Sequence, residues 1–104
     1  MRWVRRYWDE EDLWFYFELD EEGWVTRQVE LEGSSGRPVT AASISEWFEE
    51  LEAGRIQLYQ ARFGGLADKP ISQDELGEYE LVVGDDFEEL WRRARLHLSD
   101  QADR

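Results

Sequence analysis

Apolar and polar positions alternate over residues 13–32, LWFYFELDEEGWVTRQVELE, a period-two pattern that predicts a β-strand on each side of a turn. Glu21, Glu22 and Gly23 fit a three-residue hairpin loop with glycine in the left-handed position. This loop predicts that Leu19 faces Val25, Phe17 faces Arg27, Phe15 faces Val29 and Leu13 faces Leu31, all on one apolar face. Trp14, Tyr16, Glu18, Trp24, Gln28 and Glu30 fall on the other. RWVRRYW at 2–8 alternates in the same way and predicts a short first strand, while the four carboxylates of DEED at 9–12 predict a solvated loop.

Helical spacing takes over in the second half. EGSSGRP at 32–38 is a turn-rich connector, and VTAAS after it suits a short extended piece. Ser43 and Glu46 have the spacing of a capping box ahead of Ile44, Trp47, Phe48, Leu51, Leu58 and Tyr59, which predicts a helix from about 44 to about 62 with Gly54 as a natural break. Gly64 and Gly65 supply its stop. LADKPISQDELGE at 66–78 has the composition of a loop around Pro70 with one helical turn opened by Ser72 and Glu75, and YELVV at 79–83 predicts a weak edge strand. DDFEELWRRARLHL starts acidic, ends basic and repeats Phe87, Leu90, Trp91, Ala94 and Leu98 on one stripe, so it predicts a closing helix; the tail SDQADR is expected to fray. The sum is an α+β fold in which an antiparallel sheet of three to four strands is packed by two helices, in a single domain over residues 1–104.

Charge narrows the partners. The chain has 25 acidic and 12 basic side chains, a net charge of −13 and a pI near 4.4. Such a field repels phosphate backbones and anionic lipid, so no direct nucleic-acid or membrane partner is expected and a basic protein is favoured. Six tryptophans and 41% hydrophobic residues still provide a packed interior. The absence of cysteine excludes disulfides and thiolate chemistry. MRWVRRYWDEED lacks the apolar run of a secretory signal, and no stretch of about 18 apolar residues occurs, so a cytoplasmic address is expected.

Catalytic signatures are missing. His97, the only histidine, borders the closing apolar stripe with no polar cluster around it. DEED lacks the spacing and turn glycine of a calcium loop, zinc ligands are too few, and neither a nucleophile elbow nor a glycine-rich phosphate loop is present. No catalytic residue, metal or cofactor is therefore expected.

Two features bear on binding. Arg27, placed by the hairpin register among Leu13, Phe15 and Val29, must find a carboxylate, stack on a ring such as Phe17 or reach solvent. It is either an ion pair at the rim of the core or an anchor for an anionic group. Trp14, Tyr16 and Trp24 form either a face covered by a helix or an open patch of the residue types that dominate interfaces. The partner-binding candidates are accordingly Trp14, Tyr16, Glu18, Trp24, Arg27 and Glu30.

RWVRRYWDEEDLWFYFELDEEGWVTRQVEL, KPISQDEL and DDFEELW together resemble a family of small, acidic, uncharacterised bacterial proteins. The match rests on Trp3, Glu18, Asp20, Trp24, Arg27, Val29 and Glu30 and covers most of the chain outside about 37–68. The resemblance implies a compact α+β domain and no particular reaction. In size and charge the chain is also similar to immunity proteins of bacterial toxin systems, an analogy of class. The expected function is a non-enzymatic acidic binding protein, an immunity-type inhibitor that engages a basic toxin or nuclease. The alternative is a small-molecule binder or enzyme with a cleft around Arg27 and Glu18 or Glu30.

Overall fold

The computed structural model describes residues 1–102. Five strands, β1 (Arg2–Trp8), β2 (Leu13–Leu19), β3 (Val25–Glu32), β4 (Pro38–Ser43) and β5 (Glu80–Leu81), form one antiparallel sheet in the order β4-β3-β2-β1-β5. Four helices accompany it: α1 (Ile44–Glu52), α2 (Ile56–Phe63), the single turn α3 (Gln73–Leu76) and α4 (Gly84–Ala102). The fold is α+β, with one more strand than the upper expectation and two more helices. Gly54, at φ +74°, splits the expected helix into α1 and α2, and QDEL forms α3 behind a complete Ser72/Glu75 capping box.

The hairpin turn has the expected loop. Asp20 accepts the Gly23 N–H at its carbonyl, and its Oδ1 accepts the Glu22 and Trp24 N–H groups. Gly23 adopts φ +90°, and a Cβ there would lie 2.5 Å from the Ile71 carbonyl oxygen. Gly23→Ala is therefore expected to destabilise the fold by about 2–3 kcal/mol, measured by chemical denaturation. A change below about 0.5 kcal/mol would show that the turn relaxes without strain.

The register beyond the turn departs from the expectation. Leu19 pairs with Val25, but a β-bulge follows, so Glu18 pairs with Arg27, Tyr16 with Val29 and Trp14 with Leu31. The extra residue is Thr26, whose Oγ1 donates to the Glu18 carbonyl and to Glu18 Oε1. The one-residue slip moves Arg27, Val29 and Leu31 to the face of Trp14, Tyr16 and Glu18, and moves Gln28 and Glu30 to the face of Phe15 and Phe17. The physical reason lies in Arg27. An unslipped ladder would set its guanidinium against Phe17, whereas the bulge sets it beside the Glu18 carboxylate.

Each face of the sheet then has its own core. On one, Val29, Leu31 and Ala41 pack with Phe87, Leu90, Ala94 and Leu98 of α4, flanked by Trp3, Trp14, Tyr16 and Trp91. On the other, Val4, Phe17, Leu19 and Val25 pack with Ile71, flanked by Phe15 of β2 and by Leu66, Leu76 and Tyr79 from the segment around α3. Rings on both faces are needed because both faces are covered.

Two further expectations are corrected. Ser43 makes no side-chain cap for α1, because its hydroxyl bonds Ser45 Oγ while Glu46 is drawn away to Arg95 and Tyr59. Ser99 to Ala102 continue α4 instead of fraying; Asp103 and Arg104 lie outside the described residues. The acidic loop is partly built in: Asp12, at φ +54°, accepts the Tyr7 hydroxyl at 2.5 Å and the Ser34 N–H, while Asp9, Glu10 and Glu11 stay exposed.

Candidate functional site

The polar residues that sequence reasoning singled out converge on Arg27. Its Nε and Nη2 donate to the two oxygens of Glu18, at 2.9 and 2.5 Å, and its Nη1 and Nη2 also reach Glu88 of α4. Glu18 further accepts the Trp3 indole N–H at 3.0 Å and the Thr26 hydroxyl at 2.8 Å. Burial alone would raise the Glu18 carboxyl, but the hydrogen bonds from Arg27, Thr26 and Trp3 outweigh it and hold the group below the usual carboxylate range. The Glu18 bonds raise Arg27 well above its ordinary value against the opposing effect of burial.

A second arginine repeats the design. Arg95 of α4 donates to the Ala41 carbonyl, to both oxygens of Glu46 and to the Tyr59 hydroxyl. Tyr59 in turn accepts the Ser43 N–H and donates to Glu46. Burial, with the Glu46 carboxylate beside it, pushes the Tyr59 hydroxyl up to about 12. Burial would raise Glu46 too, but the bonds from Arg95 and Tyr59 overcome it and hold that carboxyl low. Both guanidiniums lie over rings: Arg27 of β3 is 5.1 and 5.2 Å from the Phe87 and Trp91 rings of α4, and Arg95, itself on α4, is 4.4 and 4.0 Å from Trp91 and from Phe63 of α2. Trp91 thus contacts both ion-paired arginines, whose bonds tie α4 to β2, β3, β4 and α1.

This arrangement does not gather the candidate residues into one open surface. Trp14 and Tyr16 are half-buried on the α4 face, Glu18 is buried there, and Glu30 lies on the opposite face, accepting from Gln28 Nε2. Trp24, at the turn, is 43% exposed. The ring that stacks on Arg27 is not Phe17, which belongs to the second core. Sequence reasoning missed Trp3, Glu46, Tyr59, Glu88 and Arg95, whose partners lie up to 61 residues away in the chain. The available signal was the mismatch of Arg27 with Phe17, which a slip after Thr26 removes.

The chain matches no family model, no curated protein and no solved structure. Function is accordingly read from chemistry alone. Surface hollows lie away from Arg27: one of about 360 Å³ between β5 and α4 is lined by Arg5, Tyr16, Leu81, Asp86 and Arg93, and another of about 280 Å³ beside α2 by Glu50, Arg55, Leu58 and Arg62. Among the described residues no group of three metal-binding side chains is arranged around a common point, and no helix is long and apolar enough to cross a membrane. His97 Nε2 is buried and makes no hydrogen bond among the described residues.

Proposed function

We propose that this chain is a non-enzymatic acidic binding protein whose partner is a basic protein, in the manner of an immunity-type inhibitor of a toxin or nuclease. The observation that carries this reading is where the positive charge goes. Arg5, Arg6, Arg27, Arg37, Arg55 and Arg95 are each committed to glutamates of the same chain, at Glu80, Glu78, Glu18 with Glu88, Glu32, Glu50 and Glu46 respectively. The surplus acid stands outside, in Asp9, Glu10, Glu11, Glu21, Glu22, Glu49, Glu52, Asp68, Asp74, Asp85, Asp86 and Glu89. A surface with this excess of carboxylates steers a cationic protein to encounter and repels phosphate-rich ones.

The alternative, a ligand cleft around Arg27, has less support because Nε, Nη1 and Nη2 are already bound to Glu18 and Glu88. Glu18 and Glu46 are held low, opposite to the raised carboxyl that a general acid needs.

Affinity capture with the immobilised chain tests the reading. Retained proteins are expected to be basic and to elute as salt rises from about 0.05 to about 0.5 M, and a retained toxin or nuclease should lose activity on addition of the free chain. Retention of acidic proteins, or retention indifferent to salt, would overturn the proposal.

A further inference from the structure

Two of the exposed large apolar residues, Phe48 and Leu51, lie on α1. Helix α1 carries Ile44, Trp47, Phe48 and Leu51 at the i, i+3, i+4, i+7 spacing of one stripe, yet none of its residues is buried. Phe48 is 55% and Leu51 46% exposed, and the Trp47 and Phe48 rings meet edge to face with centroids 5.5 Å apart. Ile44 and Trp47 are half-buried, and Glu46 turns inward to Arg95 and Tyr59. The helix is thus anchored through Glu46, and the Phe48 and Leu51 part of its apolar stripe is left toward solvent.

Charge says what fits there. The nine residues of α1 include four glutamates and no lysine or arginine. On the helical wheel Glu52 flanks the stripe on the Phe48 side and Glu50 on the Trp47 side. Glu49 and Glu52 are exposed, and Glu50 is bound to Arg55. A second copy of this chain would bring those carboxylates against their own kind.

We propose that the α1 stripe is the docking surface for a basic amphipathic helix of the partner, whose apolar residues seat on Trp47, Phe48 and Leu51 while its lysines or arginines reach Glu52 beside Phe48. The proposal rests on the acidic-binding reading above and deepens it by naming the surface and the partner element. Leu81, apolar and more exposed still, lies on β5 at the opposite edge of the sheet from β4 and provides an internal control.

The probe is a synthetic helix of about 18 residues built from leucine and lysine, with a leucine and glutamate counterpart, titrated by fluorescence polarisation at low salt. The Leu/Lys probe is expected to bind the native chain and Leu81→Ser alike, and to bind the Phe48→Ser/Leu51→Ser variant roughly tenfold more weakly. Glu52→Lys, which keeps the apolar stripe, should weaken the Leu/Lys probe and strengthen its glutamate counterpart. Circular dichroism verifies that each variant is folded. Equal binding by Phe48→Ser/Leu51→Ser would overturn the docking surface while leaving the acidic-binding reading in place. Failure of the Leu/Lys probe to bind at all would overturn both. Sedimentation showing a dimer of the native chain that the same double variant dissociates would make a second copy the occupant and overturn the proposal.

Discussion

Replacing Phe87 by alanine is expected to destabilise the fold by about 4 kcal/mol. Phe87 is fully buried in the first core, where it meets the apolar side of the sheet and also lies beneath the Arg27 guanidinium. Truncation removes the transfer free energy of the ring, leaves a cavity under α4 and takes away one of the two rings that hold Arg27. Domains of this size are stable by only about 5–15 kcal/mol, so the variant should unfold at a markedly lower denaturant concentration. Leu96→Ala, on the exposed side of the same helix, should change stability by less than about 0.5 kcal/mol. Similar effects for the two variants would mean that α4 does not pack as described.

Arg27→Met is expected to cost about 3–4 kcal/mol at neutral pH, because it leaves Glu18 charged and buried with only neutral donors. The effect should depend on pH in a particular direction. In the native chain the folded Glu18 carboxyl lies below its unfolded value of about 4.3, so its contribution is fully present above that value and is lost as pH falls through the lower folded one. Without Arg27, burial raises the folded carboxyl above the unfolded one, so acidification stabilises the variant relative to its state at neutral pH. The gap between native and variant chains should therefore narrow as pH drops from 7 toward about 4. A gap that stays constant would mean that Arg27 acts by packing alone. Denaturation curves for both chains across that range decide the matter.

These expectations depend on one residue that strict alternation does not reveal. The turn at Asp20–Gly23, the break at Gly54 and the stripe from Phe87 to Leu98 were legible because each is local: loop chemistry, a left-handed glycine and a 3.6-residue period are written in neighbouring positions. The bulge at Thr26 was not, since both registers satisfy the same turn and large side chains stand on both faces of β2. What distinguishes them is an energetic conflict, an arginine set against Phe17 in one ladder and against Glu18 in the other. The Ser43 and Glu46 pair failed as a cap for a related reason, because Arg95, 49 residues away from Glu46, is a stronger partner than a nearby backbone N–H. The segment 64–72 has no periodicity to read, yet its Ile71 closes the second core. Of the candidate binding residues, Arg27 takes the ion pair that was one of the two readings open to it, with Glu18, which strict alternation had placed on the other face, and Trp24 alone among them is left exposed.

Backbone proton contacts across β2 and β3, measured by nuclear Overhauser spectroscopy, address the central claim most directly: a one-residue slip puts Arg27 on the α4 face of the sheet with Trp14, Tyr16 and Glu18. Contacts are expected between Tyr16 and Val29 and between Trp14 and Leu31. Contacts between Phe15 and Val29 and between Leu13 and Leu31 would restore the unslipped ladder and contradict the account.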